Sequence, residues 1–265
     1  LVQYSRTPGS ASWAQVGTVV LGSNDPAIAA LFPKVTSGLR FFPTFYSAGM
    51  MVVGTASECG HSSPHTGAQC PSGRVIVLTR STLEPTWVVR VTAAQGNVFA
   101  GITTHAELGS RYGDDSRQIS AAFPTFVDVT GDGFDDLVLG TAKGTLRCFV
   151  NPGSKANATW VELLAAENPL SFVAMANAFG YAMPHAVDID ADGKPELLVG
   201  SREGSGIRLF VQDSWELSWG ERRSGGGNPF SHLSKLALAA AFPATYDIDN
   251  DGFIDYIVGD YYGRL

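Results

Sequence analysis

Charge is scarce in this sequence, and the little there is leans acidic. Only 16% of residues are Asp, Glu, Lys or Arg, with 18 basic against 25 acidic. A formal net charge of −7 leaves no basic footprint for a phosphate backbone, which argues against a nucleic-acid partner. Long apolar runs are missing too. The longest, LALAAAF at 236–242, covers seven residues, against the roughly 18 that a membrane-crossing helix needs. Helical periodicity is absent outside that same stretch. No G-x-S-x-G, phosphate-binding loop or dinucleotide fingerprint occurs. The five His are scattered; His105 with Glu107 is two acid–base residues in a loop and nothing more. The chain starts LVQYSRTPGS without an initiating Met, which reads as a mature or trimmed product.

What is present is globular composition, 45% hydrophobic, with 30 Gly and 14 Pro to supply turns. Self-similarity then organises the chain. FPTFVDVTGDGFDDLVLGT (123–141), MPHAVDIDADGKPELLVGS (183–201) and FPATYDIDNDGFIDYIVGD (242–260) align without gaps. A fourth segment, FFPTFYSAGMMVVGT (41–55), keeps the aromatic-Pro start and the apolar-Gly end. It has lost the acidic middle. Downstream, LRCFVNPGSKANATW, LVQYSRTPGSASW, VIVLTRSTLEPTW and IRLFVQDSWELSW form a second shared element. In each, Ser or Thr precedes the Trp at Trp160, Trp13, Trp87 and Trp219.

Each repeat holds four short β-prone runs separated by Gly, Asp, Asn and Pro clusters. The expectation is an all-β fold: a β-propeller of four-stranded antiparallel blades, with four blade-equivalents in one domain spanning 1–265. Blades are expected near 41–91 (unit two), 123–165 (unit three) and 183–220 (unit four). In unit one, N-terminal strands within 1–20 pair with C-terminal strands within 242–265, so that no sheet edge stays open. A slice of a larger propeller, and a subunit that exchanges strands with its copies and polymerises, remain alternatives.

The acidic segments place acceptors at loop positions 1, 3, 5 and 9, with Gly at 6. They are Asp128, Thr130, Asp132 and Asp136; Asp188, Asp190, Asp192 and Glu196; and Asp247, Asp249, Asp251 and Asp255. Position 7, held by Phe134, Lys194 and Phe253, is free to vary because it offers only its carbonyl oxygen. Alternate acceptors on a tight loop converge on one point, and hard oxygen donors without His or Cys select Ca²⁺. The loops are not EF-hands: position 12 holds Leu139, Val199 and Val258, inside the next strand. Three Ca²⁺ sites are therefore expected. Twelve of the 25 acids sit in these loops, and three divalent ions would relieve most of the net repulsion.

The pattern D-x-[DT]-x-D-G-x-x-[DE] between the first two strands of a blade resembles the FG-GAP and VCBS repeats of integrin α-chain heads and many secreted proteins. FGYAMP (179–184), NPL (168–170) and NPF (228–230) fit the same resemblance. It implies a calcium-binding propeller and leaves function open, since such repeats occur in adhesion proteins, lectins and enzyme accessory domains.

Unit two departs from the pattern: its loop shrinks to Ser47-Ala48-Gly49, with no carboxylate. Its next connection grows into ASECGHSSPHTGAQCPSG (56–73). A Cys59–Cys70 disulfide is expected there, with a zinc site using His61 and His65, and free thiols, as competing readings. Cys148 alternates with Leu146 and Val150 and reads as a buried, unpaired core residue. The disulfide, the calcium sites and the glycosylation sequon at Asn157 all point outside the cell. Trp215, Arg222 and Arg223 form the candidate contact surface.

The expected function is a non-catalytic extracellular structural or adhesion module. Its blade loops, or exchanged strands, meet a protein partner or copies of itself. A glycan-binding lectin and an accessory domain of a secreted enzyme are the alternatives; once the metal ligands are set aside, no carboxylate pair remains for glycoside chemistry.

Overall fold

A computed structural model describes residues 2–6, 13–18, 40–47, 49–59, 72–80, 87–104, 107–108, 118–151, 153, 160–175, 180–202, 206–213, 218–222, 228–230, 241–260 and 265. The described residues are all-β, in antiparallel sheets, with two single 3-10 turns. Unit four is the plainest case. Strands β13 (Met183–Val187), β14 (Glu196–Gly200), β15 (Ile207–Gln212) and β16 (Trp219–Arg222) form a four-stranded meander in chain order. Unit three repeats it with β9 (Gln118–Val127), β10 (Asp136–Thr141), β11 (Leu146–Val150) and β12 (Val161–Leu163). Unit two does so with β3 (Arg40–Ser47), β4 (Met50–Cys59), β5 (Gly73–Thr79) and β6 (Val88–Arg90). The remaining strands form two hairpins, β1 (Val2–Arg6) with β2 (Trp13–Thr18), and β17 (Phe242–Tyr246) with β18 (Asp255–Gly259).

Units two to four show the four expected strands each, while β1–β2 and β17–β18 stand as separate hairpins, and one expectation is corrected. Residues 56–59, read from sequence as the start of a long loop, continue β4. They pair with β9 from the next unit, Ala56 opposite Ala121 through Cys59 opposite Gln118. Units two and three are thereby joined into one ten-stranded sheet, to which two short strands, β7 (Thr103–Thr104) and β8 (Glu107–Leu108), also belong. Sequence alternation cannot reveal such a ladder, because its partner lies about sixty residues away and supplies the missing hydrogen bonds.

The core is divided between successive units. Val52, Val75, Val77 and Phe99 of unit two and its following turn pack against Ala122, Leu137, Leu139 and Phe149 of unit three. Val138, Leu146 and Cys148 of unit three pack against Leu197, Val199, Phe210 and Trp219 of unit four. Leu198, Ile207 and Leu209 of unit four meet Ala241 and Val258. Burying apolar side chains this way, at about 25 cal/mol per Å², is what makes one sheet stick to the next. A fourth cluster gathers the inner strands: Phe123, Tyr181 and Met183 with Phe42 and Phe242. The Phe42 ring stands edge-on to Phe123 at 4.4 Å and stacks on Phe242 at 5.4 Å. Residues from β3, β9, β13 and β17 line one cavity.

Each tight contact between units uses a Gly in the second strand, just after its apolar run. A Cβ added to Gly54 would lie 1.9 Å from the Ala122 carbonyl oxygen, one on Gly140 1.9 Å from that of Ala182, and one on Gly200 1.8 Å from that of Ala241. Only glycine allows that approach. Backbone bonds tie the same places: Ala182 N–H donates to the Thr141 carbonyl at 3.1 Å, and Ala241 N–H to that of Ser201 at 3.0 Å.

Two side-chain devices reinforce the units. Arg147 forms a bidentate pair with Glu162, at 2.6 and 2.7 Å, and donates from Nη1 to the Thr103 carbonyl. Arg208 does the same with Glu221, at 2.7 and 2.8 Å, and reaches the Ala174 carbonyl. Such charge-assisted forks are among the stronger hydrogen bonds. The second device is a buried Asn. Asn97 Nδ2 donates to the carbonyls of Val75 and Val91 while its Oδ1 accepts from Phe99 N–H. Asn168 repeats this on Leu146 and Leu170, and Asn228 Oδ1 accepts from Phe230 N–H. The sequence marks two of these triplets as NPL and NPF but not Asn97, whose signal is an Asn eight to ten residues beyond Trp87, Trp160 and Trp219.

Candidate metal centre

The loops at 128–136, 188–196 and 247–255 each connect the first two strands of a unit. Their shape is set by two left-handed residues. Position 6 is Gly133, Gly193 or Gly252, with φ of 86, 86 and 90°. Position 4 is left-handed as well, at Gly131, Ala191 and Asn250, with φ of 76, 59 and 60°. The first was legible because Gly recurs. The second was hidden because three residue types share one conformation, and Ala adopts it at a cost.

The carboxylates hold this turn by accepting backbone hydrogen bonds. Asp128 accepts from Gly131, Asp132 and Gly133 N–H. Asp188 accepts from Asp192 and Gly193, and Asp247 from Asp251 and Gly252. Position 5 accepts from position 7 in every loop: Phe134 N–H to Asp132, Lys194 N–H to Asp192, Phe253 N–H to Asp251. Position 9 reaches back to position 2, with Val129, Ile189 and Ile248 N–H donating to Asp136, Glu196 and Asp255.

The loops differ in how their donors gather. Carboxylate oxygens of Asp188, Asp190 and Glu196 lie within 4.8 Å of one another, as do those of Asp247, Asp249 and Asp251. Asp192 and Asp255 stand outside these triplets. In the 128–136 loop Thr130 replaces the second carboxylate, and its hydroxyl lies 3.5 Å from Asp128 Oδ1 and 3.3 Å from Asp136 Oδ2. Asp136 is fully buried, and its other oxygen accepts from Asn151 N–H. Sequence reading gave position 9 one role in all three loops; here Asp136 chiefly braces the turn, while the longer Glu196 side chain joins the triplet.

Crowding shows in the electrostatics. Burial pushes the Asp136 carboxyl above the usual carboxylate range against three backbone bonds that lower it, and Asp132 adds repulsion. Burial also raises Glu196, with Asp190, Asp192 and Asp188 adding to it. Uncompensated like charges at this density fit a site for a hard divalent cation. An all-oxygen set of carboxylates and a hydroxyl, on loops already turned inward, is the donor chemistry of Ca²⁺.

Residues 128–199 match the family described as the FG-GAP-like repeat. This segment is similar to an FG-GAP-like repeat. It runs from position 1 of one acidic loop to the strand that follows the next, a full structural period. No curated protein matches the chain.

Of the other sequence candidates, Cys148 is buried and free, its thiol pushed up to about 12 chiefly by burial. Trp219 is buried and Trp160 packs beside Phe99, as expected of packing anchors. Arg222 is exposed at the end of β16. Cys59 ends β4, but its side chain lies outside the described residues, as do Cys70, His61, His65, His105, Asn157, Trp215 and Arg223. His185 is half-buried, and its Nε2 lies 2.8 Å from the Thr245 hydroxyl. Burial lowers its pKa, which favours the neutral imidazole. No helix among the described residues is long and apolar enough to cross a membrane.

Proposed function

We propose that this chain is a calcium-stabilised β-propeller acting outside the cell as a non-catalytic structural or adhesion module. The observation that carries this reading is the acidic loop, repeated at one structural position in three units, with converging carboxylate triplets in two of them. Its four units would stand around one axis, with β1–β2 completing the blade begun by β17–β18. Asp188, Asp190 and Glu196 would hold one ion and Asp247, Asp249 and Asp251 another, with Asp192, Asp255 and the carbonyls of Lys194 and Phe253 in reserve. The 128–136 loop, one carboxylate poorer, would bind most weakly. The ions would neutralise crowded acids and hold the strand-to-strand turns. The blade loops are then free to contact a protein partner. The Cys59/Cys70 pair and the Asn157 sequon favour the extracellular setting.

Calorimetric titration with Ca²⁺, joined to thermal melts with and without chelator, tests this. At ten times its dissociation constant, each ion contributes about 1.4 kcal/mol, or roughly 4 kcal/mol for three. At least two bound ions per chain and a melting temperature lowered by several degrees in chelator are expected. No heat of binding and an unchanged melt would refute the reading.

A further inference from the structure

The cavity among the inner strands has a volume of about 480 Å³, within the range of small-molecule sites. Equivalent positions of the four units line it in layers. Phe42, Phe123 and Phe242 make a floor of aromatic rings, with the Met183 thioether in the fourth place. Pro43, Pro124, Pro184 and Pro243 add one ring from each unit. Above these sit Thr44, His185 and Ala244. The unit-three and unit-four walls are buried at Phe123, Pro124, Met183 and Pro184, whereas Pro43, Ala244 and Tyr246 are exposed. The mouth therefore opens between β3 and β17.

None of the described lining residues is an acid, Lys or Arg, so an ion beside them would lose its hydration without compensation. Among the polar lining residues Thr44, His185, Thr245 and Tyr246, only His185 brings ring nitrogens, in a position filled by Thr44, Thr125 and Ala244 in the sister units. Its Nε2 is engaged by Thr245, while Nδ1 makes no hydrogen bond among the described residues. We propose that this cavity binds a small uncharged aromatic molecule bearing one hydrogen-bonding group, seated over the phenylalanine floor with that group on His185. Flat rings suit a floor of edge-on and stacked phenylalanines, and one fixed polar contact among apolar walls orients a ligand.

The test uses the whole calcium-loaded chain and two fluorescent probes, naphthalene and 2-naphthol. Both should bind saturably, one per chain, with 2-naphthol tighter by about five-fold for its added hydrogen bond. His185→Thr, which installs the sister-unit residue, should remove that preference and keep naphthalene binding. Ala244→Trp, at the exposed mouth, should abolish both. Three results would overturn the proposal: no saturable binding of either probe, equal affinities in the natural chain, or binding that survives Ala244→Trp.

Discussion

Two kinds of junction between units can be compared in this molecule. Where unit two meets three, three meets four, and four meets β17–β18, a second-strand Gly receives the next unit's Ala carbonyl, and the Ala side chain is fully buried. β18 carries the same Gly, but among the described residues a Cβ on Gly259 would meet Leu265 at 3.7 Å and Phe242 at 4.0 Å, and no backbone carbonyl. Where the other units present Ala122, Ala182 and Ala241, unit two presents Phe41. The arginine tie is also missing from this side, since Ile76 stands where Arg147 and Arg208 stand in units three and four. β10 and β14 are buried throughout, while β18 is not, and Tyr246, Ile254 and Tyr256 are exposed. A repeat makes a tight joint only when both partners keep their small residues. One bulky replacement leaves ring contact, as between Phe42 and Phe242, without sheet-to-sheet closure.

The largest effect that would sharpen this contrast comes from the glycines. Gly140→Ala forces a methyl group into a backbone carbonyl and should cost about 3 kcal/mol in urea unfolding. Gly259→Ala should change stability by no more than about 0.5 kcal/mol. Equal effects would break the comparison. Next in size is the arginine tie. Arg208→Met removes a partly exposed bidentate pair and a bond across the joint, worth about 2 kcal/mol together after allowing for solvent screening. A double-mutant cycle with Glu221→Gln should show coupling of about 1 kcal/mol.

The smallest effect concerns the His185–Thr245 contact between β13 and β17. With its folded pKa below the unfolded value of about 6.5, His185 binds its proton more readily in the unfolded chain. Its contribution to stability is present above that value and is lost as pH falls from 6.5 toward the folded pKa. Asp136 and Glu196, whose carboxyls are raised, act in the opposite sense, but they are common to both proteins in a paired measurement. Between pH 7.5 and 5.5 the natural chain should therefore lose a few degrees of melting temperature relative to His185→Thr, since ~1 kcal/mol moves it by about 2–4 °C at this size. Parallel pH curves would remove the titrating contact from the account.

The repeat, its strands and its acidic turns were legible because they rest on features carried by single residues. Gly133, Gly193 and Gly252 mark a left-handed position, alternate acids mark an inward-facing loop, and β-prone runs mark strands. What escaped needed two distant segments at once. The glycines that follow each apolar run were visible, but their purpose depends on the Ala carbonyl and Pro ring of the next unit. The different parts played by Asp136 and Glu196 depend on one methylene and on Asn151, fifteen residues beyond Asp136. Asn97 lacks the Pro that flags Asn168 and Asn228, so only its buried bonds to Val75 and Val91 reveal the shared role.

The ladder from β4 to β9 has a consequence for how the molecule comes apart. Residues 56–59 and 118–121 share hydrogen bonds across the border of two repeats, so neither repeat can melt without stripping the other's edge. Amide protons on both sides are then expected to exchange with solvent in one concerted opening. The middle of the polypeptide is thus a single cooperative kernel around which the less tightly bound repeats breathe.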